Sequence, residues 1–309
     1  ICVVGPTATG KTKMGVALAK RFGGEVVSVD SMQIYRGMTI GTAAPTAEET
    51  EGIPHHMVAV ADPAESWSVA RFTEQADRCI QDILCRGRRP VLVGGTGLYL
   101  DSILSGRTFA AGHSGGEVRR ALQTELAQGG IEPLYRQLQA IDPTAAARLH
   151  LSDEKRILRA LEVFRETGET ITAHDARTRL RPPKYRAYTI GLTFRDRADL
   201  YERIDCRVDT MVGQGLLQEV EALLKSGLPE TATALQAIGY KQFLSVYRGD
   251  TPARDAVAEV KLRSRQYAKR QLTWLRRKED IHWILWEKTP DFPAGLQNAT
   301  EYLLAQGLG

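Results

Sequence analysis

The fold of this chain is decided by residues 5–12, which read Gly5-Pro6-Thr7-Ala8-Thr9-Gly10-Lys11-Thr12. The segment matches the pattern G-x-x-x-x-G-K-[S/T] at every fixed position. It follows the apolar residues 1–4 and precedes a helical pattern that stops at Gly23 and Gly24. A strand, a glycine-rich loop and a helix in this order predict a phosphate-binding loop, because backbone N–H groups of the loop and of the helix N-terminus then surround an anion.

Two side chains of this loop indicate its chemistry. The Lys11 ammonium neutralises phosphate charge, and the Thr12 hydroxyl is an oxygen ligand suited to Mg²⁺. The motif does not identify the molecule that carries the phosphates. Nucleoside triphosphatases, small-molecule kinases and diphosphate-using transferases all remain open at this point.

Strand and helix patterns alternate beyond the loop. We predict a strand at 26–29, a helix from 66 to about 86 and a strand at 90–93, which the turn Gly94–Gly97 joins to another helix. Alternation of this kind predicts an α/β fold, in which a P-loop NTPase-like parallel sheet is covered by helices.

The pattern changes after about residue 110. Residues 110–116 read as a glycine-rich linker, 117–176 are helical throughout, and Arg181-Pro182-Pro183 ends that region. Strand patterns return at 188–192 and 283–286. We therefore predict two domains: a P-loop α/β core with C-terminal helices at 1–112 and 183–309, and an all-helical insertion domain at 113–182.

Composition is that of an ordinary globular protein. Of the 309 residues, 43% are hydrophobic and 25% charged, with a formal net charge of +4. No apolar run approaches the roughly 18 residues that a membrane span needs, so we expect no membrane partner. The four cysteines lack C-x-x-C spacing, which argues against zinc and suits a reducing cytoplasm. The chain opens on an apolar strand without Met, so we expect a few residues to precede Ile1.

A carboxylate follows the second predicted strand. Asp30 stands at its carboxyl end, and in an open parallel sheet ligands bind at that edge. There it would serve as a general base or as a metal ligand near the phosphate loop. A cap for the following turn is the competing interpretation.

Several segments in a fixed order resemble the bacterial tRNA dimethylallyltransferases, also called tRNA isopentenyltransferases. The loop spelling Gly5–Ala8 is typical of that family. The other matching segments are Asp30–Ala43, His55-His56, Val93–Tyr99, Lys155–Glu162, Ile238–Gln242 and Lys269–Arg276. They cover nearly the whole chain. One departure is Ala44, where relatives usually carry Lys before a proline, so this chain has no cation at that position for a phosphate or RNA contact.

The resemblance implies transfer of a dimethylallyl group from dimethylallyl diphosphate to the N6 amine of adenosine at tRNA position 37, beside the anticodon, with release of pyrophosphate. It assigns proton removal to Asp30, stabilisation of the leaving group to Lys11 and Thr12, and a diphosphate contact to Arg203, which we favour over Arg207. Thr12 would hold Mg²⁺. The diphosphate-binding residues would be Gly5, Thr7, Ala8, Thr9, Gly10, Lys11 and Thr12. An adenine amine is a poor nucleophile, so a positioned base and a stabilised leaving group are what the reaction needs.

The family's RNA contacts also have counterparts here. The target base must be flipped out of the anticodon loop to react. Matching residues are Asp30, Ser31, Met32, Gln33, Thr96, Lys155, Arg156, Arg159, Gln236, Gly239, Tyr240, Lys241, Lys269, Arg270, Gln271, Thr273, Trp274 and Arg276. We interpret Ile157, Leu158, Leu272 and Leu275 as helix-packing residues instead. His55 and His56 receive no catalytic role.

Charge is concentrated in two segments. Residues 260–278 hold eight basic residues and no acidic one, and Lys261, Arg265, Lys269 and Arg276 are predicted to form one helical stripe. A second cluster consists of Arg177, Arg179, Arg181, Lys184 and Arg186. Such clustering is expected of a surface that binds the backbone of nucleic acid, here a tRNA anticodon stem-loop, although a solvated face is the commoner reason for a charge run. We expect a monomer.

Three other functions share parts of this pattern. A small-molecule kinase also uses such a loop, but nothing in the sequence resembles an adenine pocket or a lid arginine motif. An isopentenyltransferase acting on free AMP or ATP would share the loop and Asp30, yet would have little use for the basic helix. A GTPase-like RNA-binding module would require an N-K-x-D segment, which is absent.

Overall fold

Six strands form one sheet in the computed structural model, which describes residues 1–106, 116–179 (without the Arg179 side chain) and 182–309. The order is β3-β2-β4-β1-β5-β6, and every pairing among the described strands is parallel. The strands are β1 Cys2–Val4, β2 Gly24–Val29, β3 His55–His56, β4 Arg89–Gly94, β5 Thr189–Phe194 and β6 Ile281–Trp286. The prediction of a parallel α/β sheet is confirmed.

Two compact units divide the chain: Ile1–Ile103 with Arg186–Gly309, and Leu104–Tyr185. The first contains the sheet and the helices α1 Lys11–Phe22, α2 Ala47–Thr50, α3 Val69–Cys85, α10 Arg197–Gly213, α11 Leu216–Lys225, α12 Tyr240–Tyr247, α13 Ala253–Leu275 and α14 Phe292–Ala305. The helix α4 Gly97–Ser105 runs to the division. The second holds α5 Glu117–Gly129, α6 Ile131–Ile141, α7 Pro143–Ala146, α8 Glu154–Thr167 and α9 Ile171–Arg179.

The predicted domain boundaries at 113 and 182 stay a prediction. Residues 110–115 of the predicted linker, and Arg181 of the predicted break, lie outside the described residues. Within the described ranges, we find no helix with the combination of length and apolar character that crossing a membrane requires.

Local signals account for the element ends. α1 stops at Gly23, whose left-handed backbone (φ 63°) lets its N–H donate to Ala19. α3 begins at Val69, later than predicted, because the Ser68 side chain accepts a hydrogen bond from the Arg71 N–H at 3.2 Å and so caps the helix there. The central strands are buried on both faces, as the continuous apolar runs of β1 and β5 require.

Strand β3 was not predicted from the sequence. It is only two residues long, and its partners in β2 are Val26 and Val27. His56 Nε2 lies 2.7 Å from a carboxylate oxygen of Glu25, which also accepts from the Arg86 guanidinium. Because Arg86 hydrogen-bonds it, the pKa of the buried Glu25 falls to about 2. These groups lie near the start of β2, about 16 Å along the strand from Asp30 at about 3.3 Å per residue.

The helical unit has its own core, formed around Leu122, Leu134, Leu138 and Leu161. Ile157 and Leu158 are buried in it, and Leu272 and Leu275 of α13 are buried in the other unit. The prediction that these four residues pack rather than contact RNA is therefore supported by their burial.

Candidate active site

The strand order brings three loops to one edge of the sheet. β1 lies between β4 and β5, and β4 lies between β1 and β2. The phosphate loop follows β1, Asp30 follows β2, and Gly95 with Thr96 follows β4. Parallel strands present their carboxyl ends together, so residues that are far apart in sequence meet at this edge.

The loop backbone has the conformation that its glycines permit. Gly5 has φ 155°, and a Cβ placed there would lie 2.3 Å from the Leu192 carbonyl oxygen, so no larger residue fits. Ala8 adopts φ 66°, a conformation that costs a non-glycine residue about 1 kcal/mol and is found mainly where surrounding contacts enforce it. The Thr9 hydroxyl donates to the Pro6 carbonyl at 2.9 Å and closes the loop on itself.

Three distant side chains hold the loop from outside. The buried Gln271 of α13 accepts from the Thr7 N–H at 3.2 Å and donates to the Gly95 carbonyl at 3.1 Å. The Trp286 indole donates to the Thr9 carbonyl at 3.0 Å, and Arg203 donates to the Ala8 carbonyl at 3.4 Å. The Thr7 N–H therefore serves Gln271 in this structure, whereas the sequence had assigned Gln271 to RNA. Its burial and its two hydrogen bonds argue against that contact.

Lys11 points into the loop. Its ammonium donates to the Pro6 carbonyl at 2.6 Å. Burial and, secondarily, the positive charge of Arg207 lower the pKa of Lys11 to about 7, against the opposing effect of Asp30. A lysine with a pKa near 7 is only partly protonated at neutral pH, and its protonated form binds an anion more strongly.

Asp30 makes the capping contacts that one interpretation of the sequence predicted, and its chemical role stays a prediction. Its Oδ1 accepts from the backbone N–H groups of Met32 at 2.8 Å and Gln33 at 3.3 Å, which caps the turn after β2. Its negative charge also acts on Lys11 and on Arg207. The carboxylate is thus fixed by its own turn and close enough to the phosphate loop to interact with its cations.

Two tyrosines near Asp30 were not predicted as site residues. Burial, together with the negative charge of Asp30, raises the pKa of Tyr99 and of Tyr267 to about 12 each. Both phenols therefore stay protonated at neutral pH. The Thr96 hydroxyl is buried and has no hydrogen-bond partner among the described residues. Thr96, predicted as an RNA contact, follows β4 and so lies at the same edge of the sheet as Asp30.

Both arginines of α10 approach the loop. The Arg203 guanidinium lies 5.6 Å from the centre of the Phe194 ring in addition to its bond with Ala8. Burial lowers the pKa of Arg207, and Glu49 and Asp30 partly compensate. Arg207 thus belongs to the charge network of Lys11 and Asp30, which the sequence had left undecided.

The basic face of α13 contains cations in two different environments. Lys261 donates to Asp209 at 2.7 Å and Arg265 to Asp205 at 2.7 Å, both on α10. The stripe itself stays a prediction, but its first two cations are neutralised by acidic residues of a neighbouring helix. The second half is exposed, and a surface hollow of about 440 Å³ is lined by Gln266, Lys269, Arg270, Thr273, Trp274 and Arg277.

The residues around 236–241 divide between surface and interior. Gln236 and Lys241 are exposed, and Gly239, with φ 98°, is the N-cap residue of α12. Tyr240 is fully buried, and its hydroxyl donates to Glu219. This burial argues against the predicted RNA contact of Tyr240. Ser31, Met32 and Ala44 are half-buried in the segments that follow Asp30.

In the helical unit, Lys155 and Arg156 are exposed at the start of α8. Arg159 is only partly exposed and donates to Glu162 at 2.9 Å. Of the second basic cluster, Arg177 pairs with Glu169 at 2.6 Å. The Arg179 side chain and Arg181 lie outside the described residues.

Two protein-family models match this chain. A model described as IPP transferase matches residues 33–278, and one described as isopentenyl transferase matches residues 1–59. A curated tRNA dimethylallyltransferase of Acetivibrio thermocellus is 42% identical over 308 residues, covering 100% of this chain and 98% of that protein. That of Heliobacterium modesticaldum is 46% identical over 282 residues, covering 91% and 88%.

Solved structures of two transferases are also similar to this chain. The full-length tRNA isopentenylpyrophosphate transferase of Bacillus halodurans is 40% identical, with a TM-score of 0.72 over 99% of this chain and 95% of that one. A eukaryotic dimethylallyltransferase, crystallised acting on tRNA, is 30% identical, with a TM-score of 0.81 over 98% of this chain and 77% of that one. With the phosphate loop, Asp30 and the parallel sheet in place, this chain belongs to the IPP transferase family, alongside the tRNA dimethylallyltransferases.

Proposed function

We propose that this protein transfers the dimethylallyl group of dimethylallyl diphosphate to the N6 amine of adenosine 37 in tRNA. The observation that carries the proposal is the placement of Lys11, in a phosphate loop after β1, and of Asp30, at the end of β2, on the same edge of the parallel sheet. A kinase would use the loop, but an alkylation of an amine also needs a base beside it.

The bonds of the proposed step balance without another reactant. The N6 lone pair forms a bond to C1 of the dimethylallyl group, and the C1–O bond breaks with its electron pair leaving on pyrophosphate. The N6 proton passes to the Asp30 carboxylate. Met32 and Gln33 hold that carboxylate through its Oδ1, so its orientation is set before substrate arrives.

The leaving pyrophosphate would be bound by cations from two helices. Lys11 opens α1, and Arg203 and Arg207 come from α10. Backbone N–H groups of the loop would supply further donors, as in other phosphate loops. Stabilising charge as it develops on the leaving oxygen is the term that we expect to contribute most to the rate.

The donor set of this edge suits Mg²⁺. Thr12 supplies a hydroxyl oxygen, and hard oxygen ligands are what Mg²⁺ prefers. Among the described residues no group of three or more His, Cys, Asp or Glu side chains is placed to hold a metal by itself. Mg²⁺ is commonly held by one or two protein oxygens together with substrate phosphates and water, so Thr12 fits this role. When bound, the ion would neutralise charge on the diphosphate.

The exposed half of α13 is the surface that we propose for RNA. Lys269, Arg270 and Arg276 would contact phosphates of the anticodon stem-loop, and a flipped adenine would then reach Asp30. We expect the enzyme to act as a monomer in the cytoplasm.

The test is transfer of a radiolabelled dimethylallyl group with Mg²⁺ and without ATP. An anticodon stem-loop carrying an A-A-A run is compared with AMP. We expect label in the RNA alone. Label in AMP but not in RNA would place the protein among free-nucleotide isopentenyltransferases, and ATP consumption without transfer would identify a kinase.

The α13 surface yields a prediction about salt. Replacing Lys269 and Arg276 together with alanine should weaken stem-loop binding and reduce the slope of log K against log salt by about 1.5–2, because two phosphate contacts are lost. Filter binding between 50 mM and 200 mM salt, about the range in which such contacts are lost, measures this slope. Arg254→Ala is the matched control, since Arg254 begins the same helix and pairs with Asp255 at 3.3 Å. An unchanged slope in the double variant would contradict the placement of RNA on this face.

A further inference from the structure

One carboxylate receives five hydrogen bonds beside the site. Glu219 Oε2 accepts from the N–H groups of Thr39 at 2.8 Å and Ile40 at 2.9 Å, and from the Thr39 hydroxyl at 3.1 Å. Its Oε1 accepts from the Gly41 N–H at 3.0 Å and from the Tyr240 hydroxyl at 2.5 Å. We call this arrangement the Glu219 clamp.

The clamp differs from an ordinary surface ion pair. Three successive backbone N–H groups converge as they do around bound anions, and here the anion is the protein's own carboxylate. Tyr240, the fifth donor, is fully buried, and a Cβ on Gly41 would lie 2.4 Å from its ring. Burial raises the pKa of Tyr240, as does the negative charge of Glu219, so the hydroxyl keeps its proton and donates it. Charge-assisted bonds of this kind fix a segment more firmly than neutral ones.

The clamped segment connects to Asp30. Its next carbonyls, those of Thr42 and Ala43, accept from the Gln33 side-chain amide at 3.3 Å and 3.0 Å. The Gln33 side-chain oxygen accepts from Ser28 at 2.8 Å. The Gln33 N–H is one of the two donors to Asp30 Oδ1. Hydrogen bonds and the short segment 39–43 thus join Glu219, which is 180 residues from Thr39 in the sequence, to the proposed base.

We propose that Glu219 is a positioning residue for the prenyl transfer, which sets the orientation of Asp30 through segment 39–43 and Gln33. The inference rests on the proposed function. Glu219 itself touches no reacting atom. Its contribution is to keep the carboxylate of Asp30 within the few tenths of an ångström that proton transfer from a bound amine requires.

The test compares Glu219→Gln with Glu221→Gln. Glutamine keeps the shape of Glu219 but has only one acceptor oxygen, so its NH₂ group must face backbone donors at one end of the clamp. Glu221 lies on the same helix and pairs with Lys225 at 3.3 Å, so its variant controls for loss of a charge on α11. We expect kcat for Glu219→Gln to fall by about 10-fold to 100-fold, since displacement of a reacting group has effects of this size.

Comparing the change in kcat with the change in KM separates a positioning defect from a general loss of structure. The KM for dimethylallyl diphosphate should stay within about twofold, because the phosphate loop is held by other residues. Hydrogen exchange of the Thr39, Ile40 and Gly41 amides should become at least about 100-fold faster, which shows that the clamp has opened. Glu221→Gln should change neither quantity.

A milder variant keeps the test decisive if Glu219→Gln does not fold. Thr39→Val removes a single donor to Oε2 and should lower kcat by about threefold. If Glu219→Gln does fold, adding Thr39→Val to it should not lower kcat further, because both changes act on one contact. Unchanged kcat with accelerated amide exchange in either variant would overturn the proposal. Lack of transfer by the wild-type protein would refute the proposed function instead, and it would leave the exchange measurement on the clamp intact.

Discussion

Asp30→Asn should lower the rate of dimethylallyl transfer by about 10³-fold in a single-turnover assay, within the range found for removal of a general base. Asparagine retains the side-chain oxygen that caps the turn and still accepts from Met32 and Gln33, so the backbone after β2 should be unchanged. What asparagine lacks is the ability to take the N6 proton. The variant therefore separates the capping role of Asp30 from its chemical role.

The matched control is Asp62→Asn. Asp62 Oδ1 accepts from the Ala64 N–H at 2.9 Å, the same turn geometry as at Asp30, but its carboxylate is exposed and pairs with Arg36 at 3.7 Å. We expect that variant to transfer label at the wild-type rate. Stem-loop and diphosphate affinities of Asp30→Asn should change by less than about threefold, because a uniform binding defect would point away from catalysis. An Asp30→Asn protein with nearly full activity would exclude Asp30 as the base.

Lys11→Met should weaken binding of dimethylallyl diphosphate by about 100-fold, as loss of a partly buried cation that contacts an anion commonly does. Calorimetric titration in the presence of Mg²⁺ and the absence of RNA measures this affinity without turnover. Lys13→Met is the control, because Lys13 lies two residues further along α1 with its ammonium 4.4 Å from the centre of the Phe292 ring.

The same lysine predicts a pH dependence. The pKa of Lys11 is lowered to about 7, and the diphosphate is bound better by the protonated amine. The affinity for the diphosphate should therefore be highest below pH 7 and should weaken as pH rises above it, by at most tenfold per pH unit, since one proton is taken up on binding. Lys11→Met should show no such decline. A decline of equal slope in the variant would assign the titration to another group.

The sequence predicts the chemical groups of the candidate site better than it predicts the contacts that hold those groups in place. Residues 5–12 identify the phosphate loop because the glycines, the lysine and the threonine that it needs are consecutive. Asp30 could be placed at the sheet edge because it directly follows an apolar strand, and parallel strands end on one side. The clusters of Arg and Lys in 260–278 were equally visible, but their pairing with Asp205 and Asp209 was not.

Local sequence was enough to predict the α/β fold class, the loop, its lysine and the carboxylate after β2, since each is encoded by neighbouring residues with a local backbone preference. The side chains that hold these groups in place became visible only in the folded chain. Gln271 reaches Thr7 from 264 residues away, Trp286 reaches Thr9 from 277, and Glu219 reaches Gly41 from 178. A single glutamine, tryptophan or glutamate carries no local signal of such a partner. Its role arises only when packing removes water from both groups and leaves each as the hydrogen-bond partner of the other.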